Sequence, residues 1–134
     1  MTTHLLDTTF LIDYCAGDEG VYTYLEASED ETFLTTALNL KEVATGWRLH
    51  ESFDRARLSS TFDWIEIVSF TPEHAIRASE YEAALYDSPE YTRRQIDDTA
   101  GDLLIAAVAD VEKATVVTRN ADDFEPFDAD VAPY

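Results

Sequence analysis

The residues best suited to chemistry are acidic side chains that lie far apart in the sequence but border apolar segments. Asp7 follows an apolar strand, Glu42 lies between Leu40 and Val43, and Asp102 precedes seven apolar residues. Most carboxylates of a chain with 28 acidic residues are expected to lie in water. The apolar context predicts instead that these three lie near the core. Asn120 and Asp123, which follow the last apolar run, are candidates to join them.

Convergence of these carboxylates would require a positive charge. Two carboxylates about 4 Å apart repel by roughly 4 kcal/mol at an effective dielectric near 20, which is large for a domain of marginal stability. Three or four carboxylate oxygens with retained waters suit Mg²⁺, with Mn²⁺ as a substitute, whereas zinc prefers Cys and His ligands. His4, His50 and His74 lie in no ligand spacing. The pattern predicts a metal-activated water and no protein nucleophile, because no recognisable Ser or Cys triad is present.

The elements that must position these residues alternate between strands and helices. Predicted strands cover 5–7, 32–35, 65–68 and 114–118, and predicted helices cover 10–17, 21–29, 37–49, 53–62, 72–87 and 102–109. The polar segment 90–100 is predicted to be a loop or a frayed helix. This alternation predicts an α/β sandwich with a mostly parallel sheet. Ligands of such sheets bind beyond the carboxyl ends of the strands, where Asp7 and residues 120–123 fall.

Composition predicts one compact domain that spans residues 1–134. The hydrophobic share of 46% is that of a globular protein, and no apolar run approaches the roughly 20 residues that a membrane span requires. The N-terminal residues lack the features of a signal peptide, and Cys15 has no second cysteine with which to pair. These features predict a cytoplasmic protein that does not enter the membrane.

The net charge of −19 argues against a nucleic-acid partner in dilute salt. The acidic excess is spread along the whole chain, and only Lys41 and Lys113 are lysines, which resembles proteins of salt-loving organisms. At molar salt the Debye length falls to about 3 Å, so long-range repulsion disappears. We therefore interpret the acidity as an adaptation to salt, with a haloarchaeal source expected. The largest basic cluster in the sequence is the pair Arg93-Arg94.

Four segments in order resemble the motifs of PIN domains, specifically those of VapC toxins. They are Leu5-Leu6-Asp7-Thr8-Thr9-Phe10-Leu11-Ile12-Asp13, Asn39-Leu40-Lys41-Glu42-Val43, Asp102-Leu103-Leu104-Ile105-Ala106-Ala107-Val108-Ala109 and Val117-Thr118-Arg119-Asn120-Ala121-Asp122-Asp123-Phe124. The resemblance implies a three-layer α/β/α sandwich around a mostly parallel sheet of four to five strands. It also implies a Mg²⁺-dependent endoribonuclease that acts on RNA as a toxin, forms a homodimer and is held inactive by a cognate antitoxin protein.

The resemblance also assigns roles to individual residues. Asp7, Glu42 and Asp102 would be metal ligands, and an acid near the last strand would complete the catalytic set. Asn120 stands where many relatives have that acid, which leaves Asp123 as the nearest substitute. The hydroxyls of Thr8 and Thr118 would orient carboxylates, or would serve as a helix cap and a strand end. Arg119 would contact RNA phosphate, or would be solvated or paired with an acid.

Three other functions compete with this hypothesis. A phosphorelay receiver domain would require a pair of acids after the first strand and a lysine after a late one, and a haloacid-dehalogenase-like phosphatase would require an acid where Thr9 stands. Both fit poorly. A catalytically weak or inactive PIN domain that binds RNA or protein is the serious alternative, because of Asn120 and the anionic surface.

Aromatic and apolar residues of the early helices are abundant enough to suggest a subunit interface, with burial in the core as the alternative. They are Phe10, Tyr14, Trp47, Phe53, Leu58, Phe62 and Trp64.

Overall fold

A computed structural model describes residues 2–134, and its centre is one sheet of five strands. The strands are β1 (Thr3–Leu6), β2 (Thr32–Thr36), β3 (Glu66–Val68), β4 (Ala114–Val117) and β5 (Val131–Ala132). They lie in the order β3-β2-β1-β4-β5, and every neighbouring pair is parallel. The predicted parallel sheet is confirmed.

Seven α-helices flank the sheet within residues 2–134. They are α1 (Thr8–Ala16), α2 (Glu19–Ala27), α3 (Ala37–Leu49), α4 (Arg55–Thr61), α5 (Pro72–Asp87), α6 (Arg93–Asp98) and α7 (Ala100–Glu112). A short 3-10 helix covers Ala121–Phe124. Each helix that the sequence predicted is present, with ends shifted by a few residues.

Two apolar cores lie on opposite faces of the sheet, because successive strand residues point to opposite sides. Leu5 and Val116 pack with α5, α6 and α7 in one core, whereas Leu6 and Val117 pack with α1 and α3 in the other. All four side chains are fully buried. The chain therefore forms an α/β sandwich with the sheet as its middle layer, as predicted.

Two features of the fold differ from the sequence prediction, and a third decides between two alternatives. Segment 90–100, expected as a loop or a frayed helix, contains the helix α6, because Thr92 and Gln95 form a capping box and Ile96 is buried against the core. Helix α7 begins at Ala100, so that Asp102 lies within its first turn and does not open it. Strand β5 has only two residues, too few for a period-2 pattern to reveal it.

The strand order of the sheet reverses between β1 and β4, although the two strands are parallel. From β1 the chain moves to β2 and β3 on one side, and it returns through α5, α6 and α7 to place β4 on the other side. The register pairs Leu6 with Val117, and the Asp7 backbone N–H donates to the Val117 carbonyl at 3.1 Å. The residues after these strands, Asp7 and Thr118, are thereby brought together where ligands of open α/β sheets bind.

The aromatic and apolar residues predicted to form an interface are mostly core residues. Phe10, Leu58 and Phe62 are buried, and Tyr14, Trp47, Phe53 and Trp64 pack partly buried against the same core. They fill the space between α1, α3 and α4, so they do not form an exposed aromatic surface. Within residues 2–134, no helix combines the length and apolarity needed to cross a membrane.

Candidate metal centre

Among the candidate acids Asp7, Glu42, Asp102 and Asp123, Asp7 has hydrogen bonds to both of its carboxylate oxygens. It lies between β1 and α1 as the N-cap residue of α1, with extended backbone angles. The residue is only 6% exposed. One carboxylate oxygen accepts a hydrogen bond from Asn39 Nδ2 at 3.1 Å, and the other accepts one from the Thr118 hydroxyl at 2.9 Å. These donors fix both oxygens in orientation without neutralising their charge.

Asn39 is a site residue to which sequence reasoning assigned no role. It is fully buried near the start of α3, and it forms a capping box with Thr36. Its amide nitrogen donates to Thr8 Oγ1 at 2.9 Å as well as to Asp7, so it ties α3 to the start of α1. The signal in the sequence was an amide three residues after a threonine N-cap, within the second quoted motif.

Glu42 and Asp102 approach Asp7 from two different helices. Glu42 lies in α3 three residues after Asn39, and Asp102 lies in the first turn of α7. The expectation that Glu42 lies near the core is wrong: Val43 occupies the buried face of α3, and Glu42 is exposed. Asp102 is partly buried. Adjacent residues of a helix point in different directions, so Glu42 can face solvent while Val43 beside it is buried. Apolar neighbours in the sequence therefore do not show that a helical residue is buried.

The carboxyl groups act electrostatically on one another. Burial, together with the charges of Asp7, Asp123 and Glu42, raises the pKa of Asp102 to about 6. Partial loss of hydration raises the pKa of Glu42, although its side chain is exposed overall, and the charge of Asp7 raises it further. Burial also raises the pKa of Asp7, against the lowering effect of its hydrogen bonds to Thr118, the Thr8 backbone and Asn39. Four negative charges therefore act on one region.

The segment after β4 supplies the remaining predicted residues. Thr118 is fully buried, and its hydroxyl accepts a hydrogen bond from the Asn120 backbone N–H at 3.0 Å. Asn120 and Asp123 are exposed and line a shallow depression with Arg119. The charge of Asp123 acts on both Asp7 and Asp102. Asp123 is therefore the fourth acid that couples to the cluster.

Arg119 is held beside the cluster by Asp13. Its guanidinium contacts both Asp13 carboxylate oxygens at 2.9 and 2.7 Å, and Tyr134 donates to the same carboxylate at 2.5 Å. The Arg119 backbone N–H donates to Thr9 Oγ1, whose hydroxyl lies 3.3 Å from that of Thr118. Asp13 and Thr9 lie in the first of the four motif segments, but the sequence alone indicates no function for them.

Comparison with known proteins places the chain in a family. The model of the PIN domain matches residues 4–129, which is nearly the whole chain. The chain belongs to the PIN domain family. No curated protein matches it.

Several solved structures share the fold of this PIN domain. VapBC2 from Rickettsia felis, bound to a DNA fragment from its promoter, aligns over 99% of both chains with 21% identity and a TM-score of 0.78. DNA-bound VapBC from Salmonella typhimurium covers 99% of this chain and 98% of its own, with 18% identity and a TM-score of 0.80. VapC20 from Mycobacterium tuberculosis, a sarcin-ricin loop cleaving toxin, covers 84% and 86%, with 20% identity and a TM-score of 0.55.

The donor set of this PIN domain fits a hard divalent cation. Among residues 2–134, no three Asp, Glu, His or Cys side chains already converge at ligand distance. The buried Asp7 carboxylate is nevertheless fixed by its hydrogen bonds, and the charges of Glu42, Asp102 and Asp123 couple around it. Oxygen ligands with several negative charges match Mg²⁺ or Mn²⁺ better than zinc.

Proposed function

We propose that this PIN domain is a Mg²⁺-dependent endoribonuclease that acts as the toxin of a VapBC-type toxin–antitoxin pair. One observation carries the proposal: the carboxylates of Asp7, Glu42 and Asp123 act electrostatically on that of Asp102, beside the point where the strand order of the parallel sheet reverses. Such a concentration of negative charge favours a divalent cation, and a divalent cation suits phosphodiester hydrolysis. The likeness to VapBC structures supports the toxin assignment.

Each residue of the cluster has a role in this mechanism. Asp7, Glu42 and Asp102 would hold one Mg²⁺, for which Mn²⁺ can substitute. When bound, the ion lowers the pKa of a water and neutralises charge that develops on the scissile phosphate. Thr118 and Asn39 keep the Asp7 oxygens in place, and Thr8 accepts a hydrogen bond from Asn39.

The exposed residues after β4 would face the substrate. Asp123, with Asn120 beside it, completes the acidic rim and is available to accept a proton from the attacking water. Arg119, positioned by Asp13, would contact a phosphate with the guanidinium nitrogens that Asp13 leaves free. No side chain needs to form a covalent intermediate.

Cleavage of a circular RNA tests the proposed function, because a circle has no ends for an exonuclease to attack. We expect the purified chain to linearise the circle with Mg²⁺ or Mn²⁺, and to leave it intact with excess EDTA. The reaction is run at several KCl concentrations, with circular dichroism as a check that the chain is folded. Intact circles under every metal and salt condition would instead favour an inactive PIN domain that binds RNA or protein.

The proposed partners are a cognate antitoxin and a second copy of the chain. Relatives of this fold were solved as toxin–antitoxin complexes, including one from Klebsiella pneumoniae. We expect a small protein encoded beside this one to co-purify with it and to suppress cleavage, and we expect the isolated chain to sediment as a dimer in high salt. A monomer that no neighbouring gene product binds or inhibits would contradict both assignments.

A further inference from the structure

A groove between α3 and α4 concentrates positive charge on a strongly acidic protein. Its lining includes Leu40, Lys41, Arg48, Phe53, Arg55 and Leu58, and no acidic residue is among the residues that line it. The segment 37–61 holds four of the nine Lys and Arg residues but only three of the 28 Asp and Glu residues. Arg93-Arg94 is the largest basic cluster along the sequence but not in the folded chain, because the α3–α4 hairpin joins three cations that are distant in sequence.

The cations of this groove are not neutralised by salt bridges. Arg77 and Arg119 pair with carboxylates elsewhere in the described chain, whereas Lys41, Arg48 and Arg55 form no such pair among residues 2–134. The Arg48 guanidinium instead stacks over the Phe53 ring, 3.7 Å from its centroid. Stacking holds the guanidinium plane in place while leaving its charge available to an anion.

The groove also adjoins the acidic cluster. Lys41 directly precedes Glu42 in α3, and Lys41 and Arg48 are separated by about 10 Å along the helix axis. Phosphates need cations at intervals along a strand, and bases stack on guanidinium planes. An acidic peptide would also be attracted to the charge. A groove that combines cations with a flat stacked guanidinium and includes the residue before Glu42 fits a nucleic acid better than an acidic peptide.

We propose that the α3–α4 groove binds the single-stranded RNA that enters the carboxylate cluster. Lys41 and Arg55 contact its phosphates, and a base stacks on Arg48. This inference rests on the proposed function for the identity of the strand. It also explains how a chain of net charge −19 can hold RNA: attraction is local, whereas the acidic excess lies elsewhere on the surface.

The test compares two double variants that remove the same charge. Arg48→Gln with Arg55→Gln alters the groove, and Arg93→Gln with Arg94→Gln is the matched control on α6. Binding of a fluorescent single-stranded RNA is measured by anisotropy in EDTA and again with Ca²⁺. We expect the groove variant to weaken the Kd about tenfold near 0.1 M KCl and the control to stay within about twofold.

The salt dependence identifies phosphate contacts more specifically than the Kd. Loss of the Arg55–phosphate contact should make the slope of log K against log[KCl] shallower by about 0.7 relative to the control. Because both variants carry the same net charge, repulsion from the acidic surface cancels in this comparison. Arg55→Gln alone, which disturbs no aromatic contact, should give the same change in slope with a smaller loss of affinity, because the base stacked on Arg48 remains. If circular dichroism shows that the double variant is unfolded, the single variant Arg55→Gln decides the test.

Several outcomes would overturn the assignment of the groove to RNA. They are an equal loss of RNA affinity in both double variants, no loss of affinity in either, and no RNA binding by the parent in either buffer. A fourth is loss of binding to an Asp/Glu-rich peptide by the groove variant while RNA binding is unchanged, which would assign the groove to an acidic protein. Groove-dependent RNA binding without cleavage would retain this inference and refute the proposed function. Metal-dependent cleavage that the groove variant leaves unchanged would do the reverse.

Discussion

Asp7→Asn and Asp102→Asn should each lower the rate of Mg²⁺-dependent RNA cleavage by about a thousandfold or more. Each substitution replaces a charged oxygen ligand with a neutral amide, and a bound metal contributes several kcal/mol of transition-state stabilisation. Asp7 should be the more sensitive position, because Asn39 and Thr118 fix its orientation. The measurement is the initial rate of circular RNA cleavage at saturating Mg²⁺.

Asp87→Asn is the matched control for these variants. Asp87 is exposed at the end of α5, and the substitution removes the same unit of charge. We expect this variant to cleave at the parental rate. Circular dichroism must show that all three variants are folded. If a folded Asp7→Asn or Asp102→Asn protein cleaves as fast as the parent with the same metal, the assignment of that residue is wrong.

Asp102→Asn should also stabilise the metal-free protein at neutral pH. The pKa of Asp102 is raised from 3.8 to about 6 in the fold, so the folded state holds its proton more tightly than the unfolded state. This increase in the pKa corresponds to about 2.7 kcal/mol before screening by solvent. Because the side chain is partly exposed and solvent screens its interactions, we expect a gain of about 1–2 kcal/mol at pH 7.

The sign of the pH dependence follows from the raised pKa. Stability from a protonated Asp102 is fully present below about pH 4, and it is lost as the pH rises through about 6. The difference between Asp102→Asn and the parent should therefore vanish near pH 4 and grow towards pH 7. Thermal denaturation in EDTA across this pH range measures the difference in stability, with Asp87→Asn as the control.

Saturating Mg²⁺ should stabilise the parent more than the Asp102→Asn variant. A variant no more stable than Asp87→Asn at pH 7 would contradict the electrostatic coupling.

The sheet and most of its helices could be predicted from sequence because their patterns are local. Leu5-Leu6 and Val116-Val117 are apolar on both faces, which is typical of strands covered by helices on each side. Asp7 could be placed at the carboxyl end of the parallel strands because it directly follows one of them. β5 could not be predicted, because two residues show no alternation and its pairing with β4 is set by tertiary structure.

Site details that depend on side-chain contacts could not be predicted. Asn39 acts through hydrogen bonds to α1, and nothing local distinguishes it from a surface amide beyond its capping spacing. Glu42 was expected near the core from its apolar neighbours, but helix rotation exposes it. Arg48 and Arg55 share a groove only because the α3–α4 hairpin folds them together.

Whether Asp7, Glu42 and Asp102 hold a divalent metal is tested most directly by titration with Mn²⁺, followed by electron paramagnetic resonance. The titration is done near 1 M KCl, where a Debye length of about 3 Å suppresses loose attraction to the acidic surface. We predict saturable binding of Mn²⁺ to the parent and to Asp87→Asn, displacement by Mg²⁺, and loss of this binding in Asp7→Asn. Equal Mn²⁺ binding by the parent and Asp7→Asn, or no saturable binding by the parent, would contradict the metal centre.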